Sequence, residues 1–188
     1  GDVYKRQLYC TLQGVVVMQT AQGEFFLYEP DPTREGEWRI ARQYDRHDNC
    51  LHFSWNDAGQ LVSIASDNEA LEVRLSYENA HGRLAAVHQQ VDGAPQLRVR
   101  YAYNPQGQLI AVQDADGITT RCFGWDRASD LLASHSYATG LTVAYQWRPA
   151  ADGENWRVSE YQVLDGEQSL EHWLIDADEQ ARSATVTC

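Results

Sequence analysis

The sequence predicts an all-β fold in which antiparallel β-hairpins follow one another and form a continuous curved sheet. Short runs in which apolar and polar residues alternate recur along the chain, as in residues 71–77 and 97–103, and this period of two is typical of half-buried strands. The chain also contains 6 Trp and 10 Tyr, which favour a pleated surface. Pairs such as Asp92-Gly93 separate the runs and indicate tight turns, because Gly accepts a positive φ.

The remaining strands follow the same pattern, and we expect about fourteen of them. Residues 141–147 alternate regularly, while residues 156–161 alternate with one slip that indicates a β-bulge. Further Asp-Gly turns are expected at Asp116-Gly117, Asp152-Gly153 and Asp165-Gly166. Residues 176–182 are polar and compatible with a short helical turn.

Charge and composition exclude several classes of function. The net charge of -12 argues against nucleic acid and anionic membranes as partners, because phosphate binding needs clustered Lys and Arg. No apolar run approaches the roughly 18 residues of a membrane helix, so we expect a soluble segment. The four cysteines are too sparse for a disulfide framework, and their redox state stays open.

A motif made of an aromatic residue, a turn and a leucine recurs in the sequence. Residues 55–61 (WNDAGQL) match residues 103–109 (YNPQGQL). Residues 77–84 repeat the motif with one inserted residue, residues 125–131 repeat it with Ser129 in place of Gly, and residues 44–49 form a weaker copy. We interpret each unit as one hairpin, in which the aromatic residue ends a strand, Gly makes the turn and Leu begins the next strand on the same face. One hairpin cannot bury that face alone, so the units must stack.

The leucines of these copies lie about 22 to 25 residues apart. A β-propeller blade needs a period of about 40 to 45 residues, so the spacing disfavours a propeller.

The unit resembles the YD repeat of Rhs proteins, of the C components of insecticidal toxin complexes and of teneurins. The resemblance rests on Tyr44-Asp45, Gly82-Arg83-Leu84, Tyr101-Ala102-Tyr103 and Asp116-Gly117. The chain departs from the family pattern at the Asp position (Glu78, Asn56, Asn104), the Arg position (Gln60, Gln108) and the Gly position (Ser129). The positions assigned a structural role in the repeat are Tyr44, Asp45, Trp55, Gly59, Leu61, Tyr77, Gly82, Arg83, Leu84, Tyr101, Tyr103, Gly107, Leu109, Asp116, Gly117, Trp125, Asp126 and Leu131.

The resemblance implies a piece of the wall of a large β-shell that encloses a C-terminal toxin segment and delivers it into a competing cell, as in polymorphic toxins and type VI secretion effectors. The partners implied are the rest of a secreted or cell-surface bacterial parent chain, including that toxin segment, and secretion machinery. The toxin segment is not expected in this sequence. The Asp-Pro at Asp31-Pro32 lacks the context of the family's self-cleavage boundary, so we assign no self-cleavage.

We divide the chain into a sequence at residues 1–7 that resembles a translated sequencing adapter and is interpreted as an artefact, strands leading into the repeats at residues 8–41, and a repeat array at residues 42–188 that is expected to be truncated at both ends. Truncation would expose sheet edges, so we expect the fragment to be marginally stable or self-associating.

No constellation of residues predicts an enzyme, a metal site or a cofactor. The closest metal-like cluster is His47-x-x-Cys50-x-His52, in which Cys50 and His52 share one face of a strand, and we interpret it as an edge His beside a core Cys. The spacings that begin at Asp114 and Asp176 fail as EF-hand loops. The alternative function is an adhesive or carbohydrate-binding surface, which a row of solvent-facing aromatic residues at repeat spacing would favour.

Overall fold

The computed structural model describes residues 6–178 and 183–187, and the described residues form sixteen β-strands. The strands are β1 (Gln7–Cys10), β2 (Val16–Gln19), β3 (Phe25–Pro30), β4 (Trp38–Tyr44), β5 (Cys50–Trp55), β6 (Leu61–Ser66), β7 (Glu72–Tyr77), β8 (Leu84–Val91), β9 (Ala94–Tyr103), β10 (Leu109–Asp114), β11 (Thr119–Trp125), β12 (Leu132–Tyr137), β13 (Leu141–Pro149), β14 (Trp156–Asp165), β15 (Gln168–Asp178) and β16 (Ser183–Thr187). The all-β prediction is confirmed. The strand number exceeds the expected fourteen, since strands of four residues such as β1 and β2 are too short to show an alternation.

The strands pair antiparallel with their neighbours in the sequence, so that the sheet order runs from β1 to β16 without a crossover. Serial hairpins are therefore confirmed. Contacts divide the chain into two compact units. The first consists of residues 1–78 and 84–98 and holds β1 to β8 with the first half of β9; the second consists of residues 79–83 and 99–188 and holds the remainder.

Bulges recur at fixed places in this sheet. Opposite Trp147, the register passes from Glu160 to Val158 and leaves Ser159 as the extra residue, which confirms the slip predicted in residues 156–161. In β15 the strand continues through Asp178, so the helical turn expected at residues 176–182 is wrong for its first three residues, because pairing with β16 extends the strand. Residues 179–182 lie outside the described residues.

The sheet encloses little interior of its own. Among the described residues, the buried apolar side chains are those of Cys50, Ala86 and Ala150, and no large side chain is fully buried. The motif aromatics are half-buried instead. Apolar side chains are therefore covered mainly by neighbours along and across the strands, which is the cross-strand packing that stabilises sheets.

Candidate functional site

The repeated element is a five-residue turn in which the side chain of the first residue accepts hydrogen bonds from backbone N–H groups of the same turn. In the copy that starts at Asn56, the Asn56 N–H donates to the Gln60 carbonyl (2.9 Å) and the Gly59 N–H donates to the Asn56 carbonyl (3.0 Å). The Asn56 Oδ1 accepts from the N–H groups of Ala58 (3.1 Å) and Gln60 (2.9 Å). Gly59 has a φ of 78°, a region that side-chain-bearing residues rarely adopt. The turn therefore requires a short acceptor side chain first and Gly fourth.

The copy at Asn104 has the same geometry. Its Oδ1 accepts from the N–H groups of Gln106 (3.1 Å) and Gln108 (2.9 Å), and Gly107 has a φ of 80°. The turn that starts at Asp114 also matches, with acceptance from the N–H groups of Asp116 (2.9 Å) and Ile118 (3.0 Å). The acidic pair Asp114 and Asp116 is thus part of a turn in which Asp114 binds backbone.

Four of the six departures from the family pattern form two matched pairs. Asn56 Nδ2 donates to Gln60 Oε1 (2.9 Å), and Asn104 Nδ2 donates to Gln108 Oε1 (2.8 Å). Where the family pattern has Asp at the first position and Arg at the fifth, these two copies replace both charged side chains by amides. An amide pair keeps a hydrogen bond across the turn without leaving an unpaired charge. The substitutions are therefore coupled and preserve the turn.

A second repeated feature is the pairing of each motif aromatic residue with the apolar residue that begins the next strand. Trp55 pairs with Leu61, Tyr77 with Leu84, and Tyr103 with Leu109, and one extra residue follows each of these leucines as a bulge. Bulges of this kind increase the local twist and end regular pairing. Tyr28 with Ile40 and Trp147 with Val158 also pair with a bulge after the apolar residue, but these pairs lie within longer strands rather than at their ends.

The motif aromatics also bind the preceding unit through their polar atoms. The indole Nε1 of Trp55 donates to the Ile40 carbonyl (2.8 Å), and the Tyr77 hydroxyl donates to the Leu61 carbonyl (2.6 Å). Two further bonds of this kind join Trp125 to the Leu109 carbonyl (2.8 Å) and Trp147 to the Leu132 carbonyl (2.7 Å). Each acceptor stands beside a bulge, where the ladder is interrupted. The aromatic residue thus supplies a donor to a carbonyl beside a bulge, and burial raises the pKa of Tyr77.

The copy at Trp125 differs from the expected alignment by one residue. Trp125 pairs with Leu132 rather than Leu131. Ser129 was expected at the position of the turn Gly, but the residue with the positive φ (59°) is Asp130. The Asp126 N–H donates to the Leu131 carbonyl (2.8 Å). This copy therefore contains an inserted residue, as does the copy at residues 77–84. Asp accepts a left-handed conformation more readily than most residues, which explains why Gly is dispensable here.

Tyr44-Asp45 occupies a different kind of hairpin. Tyr44 pairs with Cys50 without a register shift, so this copy lacks the bulge of the others. Asp45 Oδ1 accepts from the N–H groups of His47 (2.7 Å) and Asn49 (3.0 Å), and Asp48 supplies the positive φ (61°). The hydrogen bonds of the turn are retained, but this hairpin has no bulge. It lies between bulged hairpins and is not a further copy of them.

The other assigned positions fall in strands and turns as follows. Tyr101 lies within β9 opposite Val112, Gly82 has a φ of 67°, and Gly117 has a φ of 78°. Arg83 directly precedes β8.

Two turns of the same type lie before the predicted array. Thr11 and Thr20 accept through Oγ1 from the N–H groups of Val15 (3.1 Å) and Glu24 (3.2 Å), and Gly14 and Gly23 have φ values of 78° and 79°. Neither turn was predicted from the sequence. Their signal is the Thr-x-x-Gly spacing, because Thr supplies the same acceptor as Asn or Asp.

The carboxylates of the turns are held in their charged form by the hydrogen bonds they accept. The pKa of Asp45 is lowered chiefly by the Asn49 side chain, that of Asp126 by the Ser129 side chain, and that of Asp152 by the Asn155 backbone N–H. Likewise, the Thr33 hydroxyl lowers the pKa of Asp31. The acidity of the chain thus serves turn formation at these positions.

A polar network crosses several strands of the second unit. Arg121 lies over the ring of Tyr137 (4.2 Å) and its Nη2 is 3.3 Å from His135 Nδ1. His135 Nε2 is 3.3 Å from the Tyr145 hydroxyl, and Tyr145 stacks on Tyr161 at 6.3 Å. Burial, followed by the charge of Arg121, lowers the pKa of His135. These aromatic side chains pack against one another across strands.

The metal-like cluster of the sequence analysis is only partly brought together. Cys50 and His52 do share a face of β5, and Asp67, from the turn after β6, lies beside them. His47 lies in the β4–β5 turn, where its Nε2 accepts from Arg46 Nε (3.3 Å). Asp67 was missed because its approach depends on the register of β5 with β6.

Together, these features define a repeat protein in which four of the bulged hairpins are each joined to a preceding one by an aromatic side chain. Residues 103–142 match the RHS Repeat family.

Two toxins are similar in sequence. Double-stranded DNA deaminase toxin A of Burkholderia cenocepacia (strain H111) is 29% identical over 175 residues, which cover 84% of this chain and 12% of the toxin. Toxin protein Tse5 of Pseudomonas aeruginosa (strain PAO1) is 28% identical over 136 residues, which cover 60% of this chain and 10% of the toxin. The chain thus spans about a tenth of the length of these relatives.

Solved structures share the fold. The TcdB2-TccC3-Cdc42 crystal structure has a TM-score of 0.60 at 14% identity, and TcdB2-TccC3 without its hypervariable C-terminal region has a TM-score of 0.61 at 13% identity. Each match covers 98% of this chain and 10% of the larger chain.

Within the part of the chain that the structure describes, no helix has the length and apolar character that crossing a membrane requires.

Proposed function

We propose that this segment forms part of a wall that encloses the C-terminal toxin segment of a larger secreted or surface protein and takes part in its delivery. In this role the segment has no catalytic site of its own, and its partners are the other parts of its parent chain.

One observation carries the proposal. Four aromatic-to-carbonyl bonds join units of the array, whereas none of the large side chains among the described residues is fully buried. A sheet whose specific contacts join one hairpin to another along its surface is suited to forming a wall. The similarity to two larger proteins named as toxins supports the same role.

The arrangement of the aromatic residues favours a wall over the adhesive alternative. At repeat spacing, Trp55, Tyr77, Trp125 and Trp147 are half-buried and use their polar atoms on backbone carbonyls. The exposed aromatics among the described residues are Tyr9, Trp38, Tyr137 and Trp156, and they do not follow that spacing. Flat aromatic platforms for sugars would have to stand free at regular intervals.

Limited proteolysis of the parent protein tests the proposal. The parent would be purified intact, and its C-terminal segment would also be produced alone. We expect the C-terminal segment to resist trypsin within the parent and to be digested when alone, as followed by mass spectrometry of its peptides. Equal digestion of the two forms would refute enclosure. Binding of the 188-residue chain to an array of glycans would instead support the adhesive function.

A further inference from the structure

The strand β5 and the turn after β6 bring together three side chains that commonly bind metals. The ligand atoms of Cys50, His52 and Asp67 all lie within 4.8 Å of one another. His52 Nε2 contacts Asp67 Oδ1 directly. The position of Asp67 is fixed by its backbone, because its N–H donates to the Cys50 carbonyl (3.1 Å). The juxtaposition therefore follows from the pairing of Leu51 with Ser66 and does not depend on surface rotamers alone.

The three donors have the chemistry of a transition-metal site. They offer one thiolate sulfur, one imidazole nitrogen and one carboxylate oxygen, a mixed set that zinc accepts in tetrahedral geometry. Calcium and magnesium prefer oxygen donors alone. A His–Asp hydrogen bond involves two members of the cluster, and the buried thiol of Cys50, 3% exposed, places a third donor atom beside both.

The surroundings leave room for a fourth ligand. A cavity of about 330 Å³ adjoins the cluster and is lined by Cys50 and Asp67 together with further oxygen-bearing side chains. These include Asp45, Asn49 and Ser66. Three protein ligands with one position left for water is an arrangement that zinc adopts.

One positive charge also faces the cluster. Arg42 lies opposite His52 on β4, and its Nη1 donates to the Tyr44 hydroxyl (3.3 Å). That hydrogen bond chiefly raises the pKa of Arg42, and the charges of Cys50 and Asp67 contribute further. The charge of Arg42 therefore repels a cation bound between the ligands.

We propose that Cys50, His52 and Asp67 bind one divalent transition-metal ion, with zinc the ion that suits them best. The ion ties the β6–β7 turn to strand β5 and so fixes one hairpin of the array. Because binding needs a thiolate and a neutral imidazole, the affinity falls as the pH is lowered.

Cobalt titration of the 188-residue chain tests the site. The three other cysteines are first changed to Ser (Cys10→Ser, Cys122→Ser and Cys188→Ser), so that Cys50 is the remaining thiol. We expect one equivalent of Co²⁺ to produce a thiolate-to-cobalt charge-transfer band in the near ultraviolet, and Zn²⁺ to displace it. In this background His52→Gln and Asp67→Asn should each weaken binding by at least about tenfold.

Matched variants separate ligation from stability. His88→Gln and Asp57→Asn change the same residue types elsewhere and should leave the affinity unchanged. Arg42→Gln should tighten binding by several-fold, since it removes the opposing charge.

Cys50→Ser should abolish the charge-transfer band. Because that variant can also fail to fold, the decisive evidence comes from the partly exposed His52 and Asp67. The proposal is overturned if no band appears, or if both His52→Gln and Asp67→Asn bind Co²⁺ as the parent background does.

Discussion

The glycine at the fourth position of the turn has two separable roles, and replacing it with Ala at two sites measures each of them. Gly107 and Gly117 lie in turns of the same type with φ values of 80° and 78°. At Gly107 an added Cβ would lie 2.9 Å from His81 Cγ and 3.1 Å from His81 Cδ2 and Nδ1, whereas at Gly117 nothing lies within 4 Å. The two substitutions therefore share a backbone cost and differ in one contact.

The expected magnitudes follow from this difference. Gly117→Ala should lower the free energy of unfolding by about 1 to 2 kcal/mol, the cost of a left-handed Cβ. Gly107→Ala should lower it by a further 1 to 3 kcal/mol or so, since the rigid His81 ring must shift and such overpacking has this typical cost. The ring is held close by His81 Nε2, which lies 3.0 Å from the Pro105 carbonyl oxygen.

Urea unfolding followed by far-ultraviolet circular dichroism measures the effect, provided that the slopes of the transitions agree between variants. The variant His81→Ala completes a double-mutant cycle. In that background Gly107→Ala should cost no more than Gly117→Ala. Equal costs of the two glycine substitutions in the parent chain would show that the close approach of His81 has no energetic consequence and would refute the reasoning.

Three further predictions concern the turns and the aromatic bonds. Trp125→Phe should destabilise the chain by about 1 kcal/mol through loss of the bond to the Leu109 carbonyl, and Trp156→Phe, at an exposed position, should cost less in the same urea assay; an equal cost would contradict a role for the bond. Gln108→Arg alone should lower the free energy of unfolding, because the Asn104 amide loses its acceptor. Adding Asn104→Asp should recover about 0.3 to 1 kcal/mol of that free energy. Purely additive effects in a double-mutant cycle would argue against coupled replacement. Finally, the lowered pKa values of Asp45, Asp126 and Asp152 predict stability that is complete above their usual pKa of 3.8 and is lost as the pH falls through the lower folded values. The urea concentration at the unfolding midpoint should decrease when the pH is lowered below about 4. Asp45→Asn, which keeps an acceptor oxygen but does not titrate, should reduce that decrease. An unchanged pH dependence in this variant would count against a role for the turn carboxylates.

Local patterns in the sequence were sufficient to predict the strand class and the hairpin order. Alternation with a period of two depends on adjacent residues only, and Gly at a tight turn has a local cause. The slip at residues 156–161 was visible for the same reason, since a bulge such as the one at Ser159 disturbs the alternation of its own strand.

The features that the sequence did not predict depend on geometry between residues that a linear pattern does not join. The Asn56–Gln60 and Asn104–Gln108 pairs looked like independent departures until the turn showed that the side chains meet. The shift from Leu131 to Leu132 arises because Asp130 adopts the conformation expected of Gly. Asp67 meets Cys50 through strand register, which the sequence motif alone does not fix.

The aromatic bonds all point toward the N-terminus. Trp55 reaches Ile40, Tyr77 reaches Leu61, and Trp125 and Trp147 likewise reach residues that lie 15 or 16 positions earlier. During synthesis the acceptor carbonyl is therefore added to the chain before its donor, and it leaves the ribosome first. Each such bond can form as soon as its own aromatic residue emerges, without waiting for any later sequence, so the array is suited to assembly in step with translation.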